Sequence, residues 1–215
     1  MKFIIYASRI LSAVFSPLMM ATYGMIVAMT LSFLCFIPAS TKLAVIFATF
    51  IATVVIPVIG IFILSRFKVI KDPRLNDRED RTWPYILEII CFLGTAVYLY
   101  YINAPTWLPM FMIGGAVALI VLTVVNRWWK ISGHATGMGG LCALVYYLMM
   151  SGNSVYSLQW EFMAVLFLAG AVCSARLVLE RHTLAQVAAG FLNGFVCVIV
   201  FPLIFQATQL PQVPV

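Results

Sequence analysis

The chain has 215 residues, of which 64% are hydrophobic and 9% are charged, with a formal net charge of +6. Soluble domains use roughly half apolar and a quarter charged residues, so this composition excludes a soluble domain of this length. It predicts one integral membrane domain over residues 1–215, an all-α polytopic bundle of about six to seven transmembrane helices. We expect membrane lipids as partners and no nucleic acid.

Seven apolar stretches are long enough to cross a bilayer, which takes roughly 17 to 20 residues. These predicted spans cover residues 11–37, 43–65, 84–102, 106–126, 135–151, 158–175 and 183–206. We expect residues 1–9 to be a retained, basic lead into the first span. A six-span alternative, in which residues 1–37 are partly interfacial, stays open.

The breaks between the spans alternate between short, nearly uncharged segments and charged ones. Residues 66–83, 127–134 and 176–182 form the charged breaks, and with seven spans these three lie on one face of the membrane. Apart from Lys42, all of the 13 basic residues lie on that face. The positive-inside rule therefore places it in the cytoplasm.

The first histidine closes the sequence Ser132-Gly133-His134, which opens the fifth predicted span. Ser132 suits an N-cap, Gly133 allows close backbone approach, and the amides of a helix N-terminus attract anions. His134 can move protons near neutral pH. The structural alternative is an interfacial histidine ahead of a glycine-rich packing helix, and the residues leave both interpretations open.

The second histidine, His182, follows Arg176 after five intervening residues and leads into the last span. The planar guanidinium of an arginine suits phosphate oxygens. Gln186 lies one helical turn beyond His182 on the same face, within reach of the ring. A simple positive-inside anchor of two arginines and a histidine is the structural alternative.

A mixed charged segment precedes the third span. Arg78 and Arg81 are three residues apart, shortly before Pro84, and would share one face of a helix. Arg74 and Lys71 supply further positive charge. Two basic residues converging on a phosphate fit this segment as well as a solvated loop does.

Together the three segments resemble the membrane-bound type 2 phosphatidic acid phosphatase family, in a divergent, Bacteroidetes-like branch, over nearly the whole chain. That family carries Lys-x6-Arg-Pro, Pro-Ser-Gly-His and Ser-Arg-x5-His-x3-Asp. Ser132-Gly133-His134 matches the core of the second motif, and Arg176 with His182 matches the core of the third. Arg74 with Arg81, or Lys71 with Arg78, matches the spacing of the first.

Three positions depart from the family pattern. Ile131 replaces the motif proline, and Ala175 stands where the motif has serine. Gln186 replaces the aspartate that orients and polarises the nucleophilic histidine. A glutamine carbonyl can accept the ring N–H and set the tautomer, whereas it stabilises an imidazolium less than a carboxylate would.

The resemblance implies a lipid phosphate or diphosphate phosphatase of the bacterial inner membrane, without metal or cofactor. His182 would attack phosphorus, His134 would protonate the leaving alkoxide and then activate water, and Gln186 would orient His182. The implied phosphate-binding residues are Arg74, Arg78, Arg81, Ser132, Gly133 and Arg176. A site at the helix ends would meet the lipid headgroup without extracting the lipid.

Other functions remain open. A catalytically impaired relative would bind phospholipid or act as a membrane scaffold. A lipid phosphotransferase would share the covalent step and use another acceptor. A small-solute transporter would need ionisable groups near the bilayer midplane, and the predicted spans offer essentially none, since Glu88 is within a turn or so of the interface.

Overall fold

The computed structural model describes residues 2–70 and 79–209. The described chain is helical and forms no β-strand, which confirms the predicted all-α class. Six helical segments are long and apolar enough to cross a membrane. The α-helices are α1 Lys2–Val14, α2 Met20–Leu31, α3 Ala39–Phe50, α4 Ile56–Arg66, α5 Thr82–Tyr101, α6 Trp107–Val125, α7 Gly133–Met150, α8 Gln159–Val178 and α9 Leu184–Gln209.

Short helical turns of other types join some of these helices. A π-helix at Ile51–Val55 makes α3 and α4 continuous, immediately ahead of Pro57. Proline cannot donate a backbone hydrogen bond, and a π-helical turn is a common way to absorb that loss. A 3₁₀ turn at Glu79–Arg81 leads directly into α5.

The first candidate crossing starts earlier than the first predicted span. Helix α1 begins at Lys2, so residues 2–9, predicted as a lead into that span, are helical and belong to a candidate crossing over Lys2–Leu31. A 3₁₀ turn at Pro17–Met19 interrupts that crossing, since Pro17 offers no N–H to continue the helix. The other predicted spans coincide with helices and differ at their ends by a few residues.

Helix α1 packs against α8 and, unlike a helix of a soluble protein, buries polar side chains and exposes apolar ones. Ser8 and Ser12 are buried, whereas Phe3 and Tyr6 are largely exposed. An apolar outer surface over a polar inner one is what a helix needs when its outward neighbour is lipid. This packing also brings the last turn of α1 to the end of α8.

Helix α7 lies at the centre of the bundle with most of its residues buried, and it is not one of the six candidate crossings. It runs parallel to α9 at very close range. A Cβ added to Gly190 would lie 2.6 Å from the carbonyl oxygen of Ser132, and one added to Gly194 would overlap the carbonyl of Thr136. Small residues four apart allow this backbone contact, which aligns the N-termini of α7 and α9.

Candidate active site

A cavity of about 210 Å³ lies at the end of the bundle where α5, α7 and α9 begin. Its wall combines residues that are far apart in the sequence. The basic and histidine side chains that line it are Arg81, Lys130, His134, Arg176, Arg181 and His182. The structure therefore brings together members of all three charged segments, as the alternation of the breaks predicts.

His182 is buried, and the contacts of its Nδ1 atom define its tautomer. Nδ1 lies 3.1 Å from the backbone carbonyl oxygen of Lys130 and 3.3 Å from Oε1 of Gln186. Both neighbours are hydrogen-bond acceptors, so Nδ1 must carry the proton. The lone pair of the neutral ring is then on Nε2, which is the nitrogen of a nucleophile or base.

The orientation of the Gln186 amide is fixed by the start of α9. Oε1 accepts a hydrogen bond from the backbone N–H of Thr183 at 3.2 Å, and the Thr183 hydroxyl accepts one from the Gln186 N–H at 3.4 Å. This reciprocal pair is a capping box. Thr183 was not among the predicted site residues, although threonine three residues before glutamine at the head of an apolar run is the usual signal of a capping box.

The surroundings of His182 favour its neutral form. Burial, together with the positive charges of Arg81 and Arg176, lowers the pKa of His182 to about 4. The two carbonyl acceptors on Nδ1 act in the opposite direction and raise the pKa. At neutral pH the ring is therefore uncharged, with its lone pair available on Nε2.

His134 makes a different contact. Its Nε2 lies 3.0 Å from the backbone carbonyl oxygen of Ser12. That carbonyl belongs to the last turn of α1, where carbonyls lack a helical partner. Nε2 of His134 therefore carries the proton, and Nδ1 is the nitrogen left for proton transfer. No sequence signal pointed to Ser12, because the contact joins residues 122 positions apart.

The start of α7 confirms the predicted N-cap. Ser132 is fully buried, and its hydroxyl accepts a hydrogen bond from the N–H of Ala135 at 3.4 Å. Its own N–H donates to the backbone carbonyl of Gln186 at 3.2 Å, which ties the two histidine junctions together. Ser132 does not line the cavity, whereas Gly133 does. Ser132 thus supports the cavity wall from behind.

Arg176 supplies a hydrogen-bond donor without a protein acceptor. Its Nε atom is buried, and within residues 2–70 and 79–209 it has no hydrogen-bond partner. Leaving a buried donor unsatisfied costs about 1–3 kcal/mol. The guanidinium groups of Arg81 and Arg181 lie close enough to repel that of Arg176. An anion bound here would remove both penalties.

Two residues on α5 were not assigned to the site from the sequence. Tyr85 and Glu88 follow Arg81 at spacings that place all three on one helix face, and all three line the cavity. The Tyr85 hydroxyl is hydrogen-bonded to Arg81. The predicted phosphate ligands Arg74 and Arg78, and the supporting Lys71, lie outside the described residues.

No family model, no curated protein and no solved structure matches the chain. The chemistry of the cavity is therefore inferred from its own residues and their contacts.

Proposed function

We propose that this protein is a metal-independent phosphatase of membrane lipids, which hydrolyses a lipid phosphate or diphosphate through a phosphohistidine on His182. One observation carries the proposal. The Nδ1 atom of His182 faces two carbonyl acceptors, so that a neutral ring presents an unprotonated Nε2 in a cavity shared with Arg81 and Arg176. This is the arrangement that a nitrogen nucleophile needs for attack on an anionic phosphate.

The first chemical step forms a bond from Nε2 of His182 to phosphorus and breaks the bond from phosphorus to the leaving oxygen. The leaving alkoxide takes a proton from Nδ1 of His134, which enters this step as an imidazolium, because the neutral ring keeps its one proton on Nε2 against Ser12. As the ring of His182 gains positive charge, the carbonyl oxygens of Lys130 and Gln186 stabilise its Nδ1–H. The products of this step are an alcohol and a phosphohistidine.

The second step releases phosphate. Water attacks phosphorus, its proton passes to His134, and the bond from phosphorus to Nε2 breaks. His182 returns to its neutral form with the proton still on Nδ1. The low pKa of His182, about 4, is consistent with a ring that stays neutral between turnovers.

The positive end of the cavity would stabilise the transferring phosphoryl group. Arg176 offers its unpaired Nε–H, Arg81 adds a second guanidinium, and the amide of Gly133 stands at a helix N-terminus. Preorganised donors of this kind are worth about 3–4 kcal/mol each in the transition state. Electrostatic stabilisation is therefore the largest part of the rate enhancement that we propose.

A lipid substrate follows from the location of the cavity. It lies among helix ends in a protein whose exterior carries many exposed large apolar side chains. A lipid can place its phosphate at such a depth while its chains stay in hydrocarbon. We place the protein in a bacterial inner membrane with the cavity on the cytoplasmic face, because the basic residues concentrate there.

The capping box favours a second candidate function. Because Gln186 and Thr183 satisfy each other at the start of α9, glutamine has a structural role that needs no catalysis. A protein that binds lipid phosphate without hydrolysing it would keep this arrangement and the arginines. A phosphotransferase differs from both in passing the phosphoryl group to an acceptor other than water.

The experiment that tests the proposal is phosphate release from a panel of lipid phosphates and diphosphates, with purified protein in detergent and EDTA. We expect release by the wild type, loss in His182→Ala, and no change in the control Lys42→Ala, whose side chain binds the carbonyl of Cys35 away from the cavity. An acid-labile, base-stable phosphoprotein should form during turnover. Equal inactivity of folded wild type and His182→Ala would leave lipid binding as the function.

A further inference from the structure

Glu88 is a buried carboxyl group on the wall of the candidate active site. Only 4% of its surface is exposed, and it lies on α5 seven residues after Arg81. It lines the site cavity together with His182, and it also lines a smaller, mostly apolar cavity of about 50 Å³ further inside the bundle. Glu88 therefore marks the inner end of the site, where the polar cavity meets the apolar core.

Among the described residues, no protein group accounts for a carboxyl at this position. Across the described ranges no side chain or backbone amide donates a hydrogen bond to Glu88. The buried hydroxyl of Thr95 on the same helix behaves differently, since it donates to the carbonyl of Cys91 at 2.8 Å. Buried polar groups are nearly always paired, so an unpaired carboxyl on a cavity wall points to a partner that enters the cavity.

The neighbours of Glu88 connect it to the cationic end of the cavity. Arg81, Tyr85 and Glu88 follow one another along one face of α5, and the Tyr85 hydroxyl is hydrogen-bonded to Arg81. The helix rises about 10 Å over this distance. A ligand with its phosphate among the guanidinium groups would thus reach Glu88 with a polar group a few bonds away from phosphorus.

The charge of the cavity selects the kind of group that Glu88 can bind. Arg81, Lys130, Arg176 and Arg181 also line the cavity, so an amine would be repelled. A metal ion would need further ligands, and the described residues contain no cluster of three His, Cys, Asp or Glu side chains. A neutral hydroxyl remains, because it can donate to a carboxylate or accept from a carboxylic acid.

We propose that Glu88 is a specificity residue that binds a hydroxyl on the alcohol part of the substrate. The preferred substrates would then be phosphate esters whose alcohol carries a second, free hydroxyl close to the phosphate, such as a glycerol phosphate headgroup. Esters of a purely apolar alcohol would leave the carboxyl desolvated and unpaired, and sites of this kind reject such analogues strongly. This inference rests on the proposed phosphatase function.

The test compares two substrates that differ by one hydroxyl. One is a 1-O-alkyl glycerol 3-phosphate with a free 2-hydroxyl, and the other is its 2-deoxy analogue with the same chain. Phosphate release is measured in mixed micelles for the wild type, Glu88→Gln, Glu88→Leu and the control Thr95→Val. Thermal unfolding in detergent verifies that each variant is folded.

We expect the wild type to prefer the hydroxylated ester by at least tenfold in kcat/KM, and Thr95→Val to keep this preference. Glu88→Leu should lose the preference through a slower reaction of the hydroxylated ester alone, and Glu88→Gln should retain part of it. Equal rates of the wild type on both esters, or an equal loss of rate on both esters in Glu88→Leu, would overturn the proposal. Glu88 would then bind a water molecule or have a purely structural role.

A binding measurement separates this inference from the proposed function. Glycerol 1-phosphate and methyl phosphate are compared as ligands that stabilise the wild type and Glu88→Leu against thermal unfolding. One outcome is that the wild type hydrolyses neither test ester, yet binds glycerol 1-phosphate more tightly than methyl phosphate, while Glu88→Leu binds the two ligands equally. In that case the hydroxyl site stands and the phosphatase function fails. Equal binding by both proteins would overturn the hydroxyl site whatever the activity.

Discussion

The two helix junctions that carry histidine look alike in sequence and differ in their contacts. At the α8–α9 junction, His182 turns Nδ1 to two carbonyl oxygens and keeps a lone pair on Nε2. At the α6–α7 junction, His134 commits Nε2 to the carbonyl of Ser12 in α1. The same side chain at the start of a helix is thus prepared as a nucleophile in one junction and as a proton carrier in the other.

The role of each histidine therefore depends on which acceptor binds the ring nitrogen that takes no part in the reaction. His182 finds one acceptor in the first turn of the helix that follows it, Gln186, and a second in the neighbouring junction, Lys130. His134 finds its acceptor on α1, which packs against α8 and is not part of the central pair formed by α7 and α9.

Replacing each histidine by alanine should separate the two roles. His182→Ala should abolish phosphoenzyme formation with every substrate, a loss of at least roughly a thousandfold, because no other group forms the bond to phosphorus. His134→Ala should slow alkyl esters by about a hundredfold but nitrophenyl phosphate much less, since that leaving group needs no proton. Rapid-quench measurement of the phosphoenzyme checks both, and equal sensitivity to the leaving group in the two variants would contradict the assignment.

Arg176 should matter through its Nε atom as well as through its charge. We expect Arg176→Met to lower kcat/KM by about a hundredfold or more, because a preorganised donor and a charge are both lost. Arg176→Lys keeps the charge without the Nε–H and should recover only a small part of the activity. Steady-state phosphate release measures both variants. Full recovery by lysine would mean that the buried Nε–H does not bind phosphate.

Gln186→Glu should make the His182 junction resemble the carboxylate-histidine pairs of other nucleophilic sites. The carboxylate keeps the shape of glutamine but favours the protonated ring, so the pKa of His182 rises from about 4. Above the new pKa we expect phosphoenzyme formation to be about tenfold faster, since the carboxylate stabilises the charge that develops on the ring.

The pH dependence gives a second readout for that variant. The nucleophilic form of His182 exists above its pKa, so in the wild type phosphoenzyme formation should fall only as the pH approaches about 4. In Gln186→Glu the same fall should occur at higher pH. Single-turnover rates from pH 4 to 8 measure the shift, and identical profiles would show that Gln186 does not act on the ring.

The two N-caps should have small and similar effects on stability. Thr183→Val and Ser132→Ala each remove one capping hydrogen bond, worth about 1 kcal/mol. Thr183→Val should also loosen Gln186 and reduce activity several-fold, whereas Ser132→Ala should affect activity less because its hydroxyl lies behind the cavity wall. Thermal unfolding in detergent and phosphate release together check this order.

Local spacing predicted part of the candidate site correctly. The contact between His182 and Gln186 was expected from their spacing, although His182 lies two residues before α9 rather than within it. The N-cap role of Ser132 follows from its place before α7. The capping partner Thr183 was equally local and could have been predicted. Residues 2–9, which were predicted as a lead into the first span, are helical, because a single arginine does not prevent α1 from forming.

The sequence by itself determined that the chain is a helical membrane protein, where most of its helices lie, and that its basic groups gather at one end. Composition and segment length decide these properties, because a bilayer imposes them on each segment separately. Only the tertiary structure decided that His134 meets Ser12, that His182 meets Lys130, and that Glu88 lines the same cavity. Those contacts depend on how closely the helices pack, and the glycines between α7 and α9 set that distance.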